Sequence, residues 1–276
     1  MRYLRIAAIC VFVISLIFCT KVNIEYYSGV NTDIPTITTD TELLVIKASE
    51  GEGGLLKGLE AKDATDGDLT DQIIVASVSH FIEPKIVNVR YVVFDSSNNF
   101  TALTRKVCFS DYESPRFSLD VPAVITRGSN FDLLNHVKVV DCIDGDISGR
   151  IRVISNMVNI YAAGVYPVTM EVTNSCGDLS QLTLWVTVLD KENSAAIELN
   201  EYVTYVECGS TFDPNSYINK VTNTHGSFLP KEGVQVKGTL DMNTPGEYRL
   251  EYHYSDQQAE GRTTLLVVVQ SREGAS

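Results

Sequence analysis

Positive charge is scarce in this chain. Against 35 Asp and Glu there are only 22 Lys and Arg, a formal net charge of −13. A surplus of that sign repels a phosphate backbone, which argues against nucleic acid as a partner. Gly (18) and Pro (8) are too few for a collagen-like or low-complexity chain, and 44% hydrophobic residues are too many for a disordered one. The six cysteines contain no C-x-x-C pair, which excludes the usual zinc spacings. Gly51-Glu52-Gly53-Gly54 lacks a following Lys-Ser/Thr, so it is no phosphate loop. His80, His136, His225 and His253 are scattered and form no metal-binding pair. With no nucleophile–base pair, metal cluster of His and Cys, or cofactor loop, a non-enzyme is expected. Beyond the N-terminus, no stretch sustains a 3.6-residue apolar period, so a helical bundle is excluded.

The N-terminus is the one long apolar run. Arg2 and Arg5 precede an uncharged stretch over residues 6–20, which Lys21 closes. This length suits the apolar region of a signal peptide, but no small-residue pair for cleavage follows it. The expectation is an uncleaved signal-anchor helix over 1–20 and a polar linker over 21–32. The basic flank keeps the N-terminus inside, and the remainder forms an ectodomain outside the membrane. Secretion after cleavage is the alternative, and Cys19 after Ile17-Phe18 is a poor lipidation site.

An internal repeat organises the rest. Asp63-Ala64-Thr65-Asp66-Gly67-Asp68-Leu69-Thr70 matches Asp141-Cys142-Ile143-Asp144-Gly145-Asp146-Ile147-Ser148 with no gap, 78 positions on. Arg127-Gly128-Ser129-Asn130-Phe131-Asp132 matches Cys208-Gly209-Ser210-Thr211-Phe212-Asp213, and Gly164-Val165-Tyr166 matches Gly246-Glu247-Tyr248. Apolar residues alternate with polar ones at Val87, Val89, Tyr91 and Val93, then at Tyr166, Val168, Met170 and Val172, then at Tyr248, Leu250, Tyr252 and Tyr254. Period two with β-branched and aromatic residues reads as half-buried antiparallel strands. The fold class is therefore all-β: three β-sandwiches in series, at 33–110, 111–189 and 190–272, each closing its own apolar interior.

These motifs resemble a bacterial immunoglobulin-like domain family of the insecticidal crystal toxin type, and more distantly hyalin repeats. The family pattern is a Pro-x-Ile lead-in, Asp-x-x-Asp-Gly-Asp-Ile-Thr, Pro-Gly-x-Tyr, and an Asp-x-x-Gly-Asn turn before the last strand. The first copy carries Pro35-Thr36-Ile37, the acidic motif and Asp95-Ser96-Ser97-Asn98-Asn99. The second carries Pro115-Arg116-Phe117, the acidic motif and Asn174-Ser175-Cys176-Gly177-Asp178. The third has Thr244-Pro245-Gly246-Glu247-Tyr248 but lacks the acidic motif. The resemblance implies repeated immunoglobulin-like modules on an exported bacterial surface protein, with no catalytic residue to carry over.

Three sets of candidate residues follow. Asp63, Asp66, Asp68 and Asp95, with Asp141, Asp144 and Asp146, supply hard oxygen ligands suited to Ca²⁺. The competing reading is turn chemistry, with each carboxylate accepting nearby backbone N–H groups. The third copy keeps Gly226 but has Thr222 and His225 where the carboxylates fall, so the turn itself needs no metal. Cys142 and Cys176 lie in turns at one end of the second sandwich and are expected to form a disulfide. Trp185 faces outward if Leu182, Leu184, Val186 and Val188 face the core, which marks it as a binding residue or one covered by a neighbouring element. The function expected is adhesion or binding of a surface protein or glycan, the alternative a passive stalk.

Overall fold

The computed structural model describes residues 11–23, 33–129, 132–257 and 259–271. Residues 11–23 are helical and exposed. No helix among the described residues is long and apolar enough to cross a membrane. Residues 1–10 of the expected anchor, most of the expected linker, and Asn130 and Phe131 of the repeat motif lie outside the described residues.

The chain divides into two compact units, Met1–Asp111 and Tyr112–Ser276. The first contains β1 (Thr36–Thr39), β2 (Leu43–Ile46), β3 (Leu59–Asp63), β4 (Gly67–Asp68), β5 (Ile74–Val78), β6 (Ile86–Phe94) and β7 (Phe100–Phe109). They form a three-stranded sheet, β1-β3-β4, and a four-stranded sheet, β2-β7-β6-β5. The second unit repeats this plan twice. Its first sandwich has β8 (Arg116–Leu119), β9 (Val124–Thr126), β10 (Val137–Asp141), β11 (Gly145–Asp146), β12 (Arg152–Asn156), β13 (Gly164–Thr173) and β14 (Leu179–Leu189). Its second has β15 (Ala195–Leu199), β16 (Val203–Glu207), β17 (Ile218–Asn223), β18 (Phe228–Leu229), β19 (Val234–Lys237), β20 (Gly246–Ser255) and β21 (Glu260–Gln270). The sheet orders β11-β10-β8, β12-β13-β14-β9, β15-β17-β18 and β16-β21-β20-β19 follow the first unit strand for strand. The all-β class and the three repeated sandwiches agree with the sequence reading.

Alternation holds where the sequence placed it. Val87, Val89, Tyr91 and Val93 are each 0% exposed, and Met170 and Tyr252 occupy the positions equivalent to Tyr91 with the same complete burial. Full burial of side chains of this size contributes about 1.5–3 kcal/mol each. Pairing differs from expectation at one place in each sandwich. β2 runs parallel to β7, β9 to β14 and β16 to β21. The chain crosses from one sheet to the other between the first two strands without reversing, so the second strand lies along the last.

The expectation of separate interiors also needs correction within the second unit. There the buried apolar residues of both sandwiches form one continuous cluster. β8 is an edge strand, and the free N–H of Phe117 on it donates to Tyr205 Oη at 2.8 Å. Arg116 lies over the Tyr205 ring, 5.3 Å from its centroid, and donates to Gln270 Oε1 at 3.2 Å. Capping the edge in this way removes a site for wrong strand pairing.

The first sandwich carries an unexpected core cation. Arg105 stands on β7 opposite Val89, where the other sandwiches have Leu184 opposite Val168 and Leu265 opposite Leu250. Its guanidinium donates to Thr39 Oγ1 (3.0 Å), Lys57 O (2.8 Å), Leu55 O (2.8 Å) and Tyr91 Oη (3.3 Å). Leu55 ends the short helix Gly51–Leu55, whose last carbonyls have no partner within the helix. Arg105 satisfies that of Leu55, and with Lys57 O it pins this excursion to the sandwich.

Candidate functional site

The acidic motifs build one end of the first two sandwiches. In each, the strand ending in the first Asp (β3 or β10) turns into a two-residue strand through a glycine, Gly67 at φ +78° or Gly145 at φ +71°. That left-handed backbone is the reason glycine recurs there. Asp63 Oδ1 accepts from Thr65 N (2.8 Å) and Asp66 N (2.9 Å), and Asp141 Oδ1 accepts from Ile143 N (2.9 Å) and Asp144 N (2.8 Å). The first Asp of each motif therefore shapes the turn with one oxygen only.

The next Asp ties this turn to the hairpin joining the last two strands. Asp66 accepts from Ser96 N at 2.7 Å and Ser96 Oγ at 2.9 Å. Asp144 accepts from Ser175 N at 2.7 Å and Ser175 Oγ at 2.6 Å. Arg150 also reaches Asp144, at 2.6 Å. Burial raises the Asp144 pKa, but the Ser175 and Arg150 hydrogen bonds outweigh it and hold the carboxyl below its ordinary value. In the hairpin, Asp95 Oδ1 accepts from Ser97 N (2.9 Å) and Asn99 N (2.7 Å). Asn98 takes φ +64° where the second sandwich has Gly177 at φ +80°, and asparagine is among the few side chains that tolerate that region.

The expected ligand set separates into two kinds. Asp63, Asp66 and Asp95 each offer one oxygen, and these lie within 4.8 Å of one another. Asp68 and Asp146 fall outside such a group. They receive Thr70 N and Ser148 N, both at 2.9 Å, and shape the following 3₁₀ turns. Thr70 and Ser148 hold Asp68 and Asp146 below their ordinary pKa by side-chain hydrogen bonds first and backbone ones second.

The second sandwich resolves the same geometry with its own atoms. Asn174 takes the place of Asp95, and its Nδ2 donates to Asp141 Oδ2 at 3.1 Å and to Tyr112 Oη at 2.8 Å. Tyr112 in turn donates to Asp178 Oδ2 at 2.7 Å. Burial first, and the Asp178 hydrogen bond second, push the Tyr112 hydroxyl far above its ordinary pKa, so it remains a donor. Nothing in the repeat motifs pointed to Tyr112, which precedes the second lead-in. In the third sandwich Asn223 Oδ1 accepts from His225 N and Ser227 N, both at 3.0 Å, and a neutral amide shapes the turn.

The Cys142–Cys176 bridge is not formed. Both are thiols, Cys142 exposed and Cys176 buried. Cys142 Sγ turns to the backbone of Glu113, donating to its O at 3.3 Å and accepting from its N at 3.5 Å. Burial pushes the Cys176 thiol up to about 11. Sharing one end of a sandwich does not by itself join the two cysteines.

Trp185 points away from the core and is 37% exposed, while Leu182, Leu184, Val186 and Val188 are 2–3% exposed. The residues two positions to either side are engaged by the third sandwich. Thr183 N donates to both Glu247 carboxylate oxygens at 3.1 Å, and Arg249 donates to Thr187 Oγ1 at 2.9 Å. A cleft of about 520 Å³ adjoins this contact. Charges along it pair with one another, Arg249 with Glu251 at 2.5 Å and Arg262 with Glu260 at 3.1 Å.

The chain is similar in part to several known proteins. Over 221 residues the chain is 31% identical to the pesticidal crystal protein Cry22Aa of Bacillus thuringiensis, covering 76% of this chain and 30% of that one. It is 27% identical over 143 residues to an uncharacterised 81.3 kDa protein of Acholeplasma phage L2, covering 50% of this chain and 19% of the other. The chain thus spans less than a third of the length of either relative. Among solved structures, a Clostridium perfringens ZmpB fragment with CBM51-2 and INT domains aligns over 53% of this chain and 26% of its own, at 19% identity and a TM-score of 0.23. The family described as "Bacterial surface protein, Ig-like domain" matches residues 197–266. That match falls on the copy without the acidic motif, so strand pattern and not the carboxylates carries it. Residues 197–266 are thus similar to an immunoglobulin-like domain of the bacterial surface type.

Proposed function

We propose that this chain is an exported bacterial surface module that binds a protein or glycan partner and has no catalytic role. The observation that supports this reading best is the outward face of the sheet β2-β7-β6-β5. There Ile74, Phe94 and Phe100 are 51%, 44% and 57% exposed. Phe94 pairs with Phe100, Val92 with Ala102 and Ile74 with Val92, so these apolar side chains adjoin across three strands. The two phenyl rings lie 5.7 Å apart and tilted by 40°. Clustered exposed aromatics of this kind anchor partners. The apolar run over 6–20, between Arg2, Arg5 and Lys21, supports export and tethering to the cell membrane with the sandwiches outside.

A passive stalk is the second reading. It draws on the charges along the cleft of the second unit, where Arg249 pairs with Glu251 and Arg262 with Glu260. Glycan-array and surface-protein binding with the whole chain distinguishes the two. Binding by the wild type that is lost in a folded Phe94→Ser/Phe100→Ser variant supports the module. A wild type that binds neither class would leave the stalk.

A further inference from the structure

We propose that the first sandwich binds one hard divalent cation, Ca²⁺, between Asp63, Asp66 and Asp95, and that the second sandwich does not. This stands apart from the partner-binding reading. Three carboxylate oxygens converge within 4.8 Å there, from the turn after β3 and the hairpin after β6. Convergence alone is common among acidic turns. The second observation is an orphan: Asp63 is only 7% exposed, and its Oδ2 is buried with no hydrogen-bond partner. A buried carboxylate oxygen without a donor is costly, and a bound cation offsets that cost.

The second sandwich shows what the first lacks. At the same turn, Asp141 is 2% exposed, yet its Oδ2 receives the Asn174 amide at 3.1 Å. Asp144 has the Arg150 guanidinium at 2.6 Å. In the first sandwich an acid, Asp95, replaces the amide, and Gln72 stands where the aligned repeat has Arg150. Gln72 for Arg150 removes one positive charge, and the amide and acid of Asn174 and Asp178 are exchanged in Asp95 and Asn99, so that the acid of the pair comes to Asp63 around an unchanged backbone turn. Hard oxygens brought together with a deficit of positive charge are what Ca²⁺ selects, its remaining ligands coming from backbone carbonyls and water. Bound there, the ion would join the two turns that Asp66 and Ser96 already link.

The test is calorimetric titration of CaCl₂ into the calcium-free full chain, with melting temperatures measured alongside. A single equivalent bound and a raised melting temperature are expected. Asp95→Asn removes a carboxylate oxygen from the cluster and the acceptor that Asn99 Nδ2 now has in Asp95 Oδ2 at 2.8 Å, so it should lose calcium binding, with an unchanged circular dichroism spectrum showing that the fold survives. Gln72→Arg changes an exposed side chain and should weaken binding without impairing the fold. The proposal is overturned if the wild type shows neither heat nor a melting shift at millimolar Ca²⁺. Undiminished binding in Asp95→Asn would overturn the site, and two equivalents in the wild type would overturn its restriction to the first sandwich.

Discussion

Arg105→Leu sets repeat logic directly against local chemistry. The other sandwiches place Leu184 (3% exposed) and Leu265 (0%) at this position, so the repeat alone would expect leucine to be tolerated. The structure expects a loss. Leucine would leave Lys57 O without the donor it now has at 2.8 Å, whereas Leu55 O keeps the Tyr91 hydroxyl, also at 2.8 Å. An acceptor left without its donor in this part-buried position costs up to about 1–3 kcal/mol. The space vacated by the guanidinium adds a cavity cost, and relief from burying a charge opposes both. Arg105's nearest carboxylate, Asp40, is 3.9 Å away with its side chain 65% exposed, so little ion-pair energy is lost. The net expectation is a loss of about 2–3 kcal/mol from the first unit. The single tryptophan, Trp185, lies in the second unit. In urea denaturation, the far-UV circular dichroism component of the first unit should therefore move to lower denaturant while the Trp185 fluorescence midpoint stays in place. An unchanged or more stable Arg105→Leu protein would refute the reasoning, because desolvation of the cation would then outweigh its hydrogen bonds.

Two further outcomes are expected. Asp144 has a folded pKa below its ordinary value of 3.8, so its contribution is present above that pH and is lost as pH falls through the folded value. Asp144→Asn should flatten this part of the acid limb in a series of melting curves, and an unaltered limb would contradict the assignment. In native protein, a thiol reagent should label exposed Cys142 and spare Cys176 until denaturant is added, as read by peptide mass mapping. Equal native labelling would show that the Cys176 pocket is open.

Much of the site was legible because the repeat supplied its own comparison. The aligned acidic motifs located the turns, and the hairpin pattern located Asp95 and Asn174. What could not be read was which oxygens converge. Asp68 sits in the same motif as Asp66, but its carboxylate caps Thr70 and takes no part in the cluster. Cys142 and Cys176 belong to facing turns, yet rotamer and backbone direction take Cys142 Sγ to Glu113. Tyr112 and Arg105 carried no signal, since one precedes its motif and the other breaks the apolar pattern of its strand.

Period-two alternation and the repeated turn residues by themselves determined the strands, their inward faces and the threefold plan, because these depend on side-chain direction and local backbone preference within a few residues. Only the tertiary structure decided the parallel second strand, the continuous interior of the second and third sandwiches, and the different electrostatics of two nearly identical acidic turns. Each of those rests on which atoms meet across long separations in the chain. An amide or a carboxylate at the facing hairpin changes what Asp141 or Asp63 meets without changing the motif that contains it.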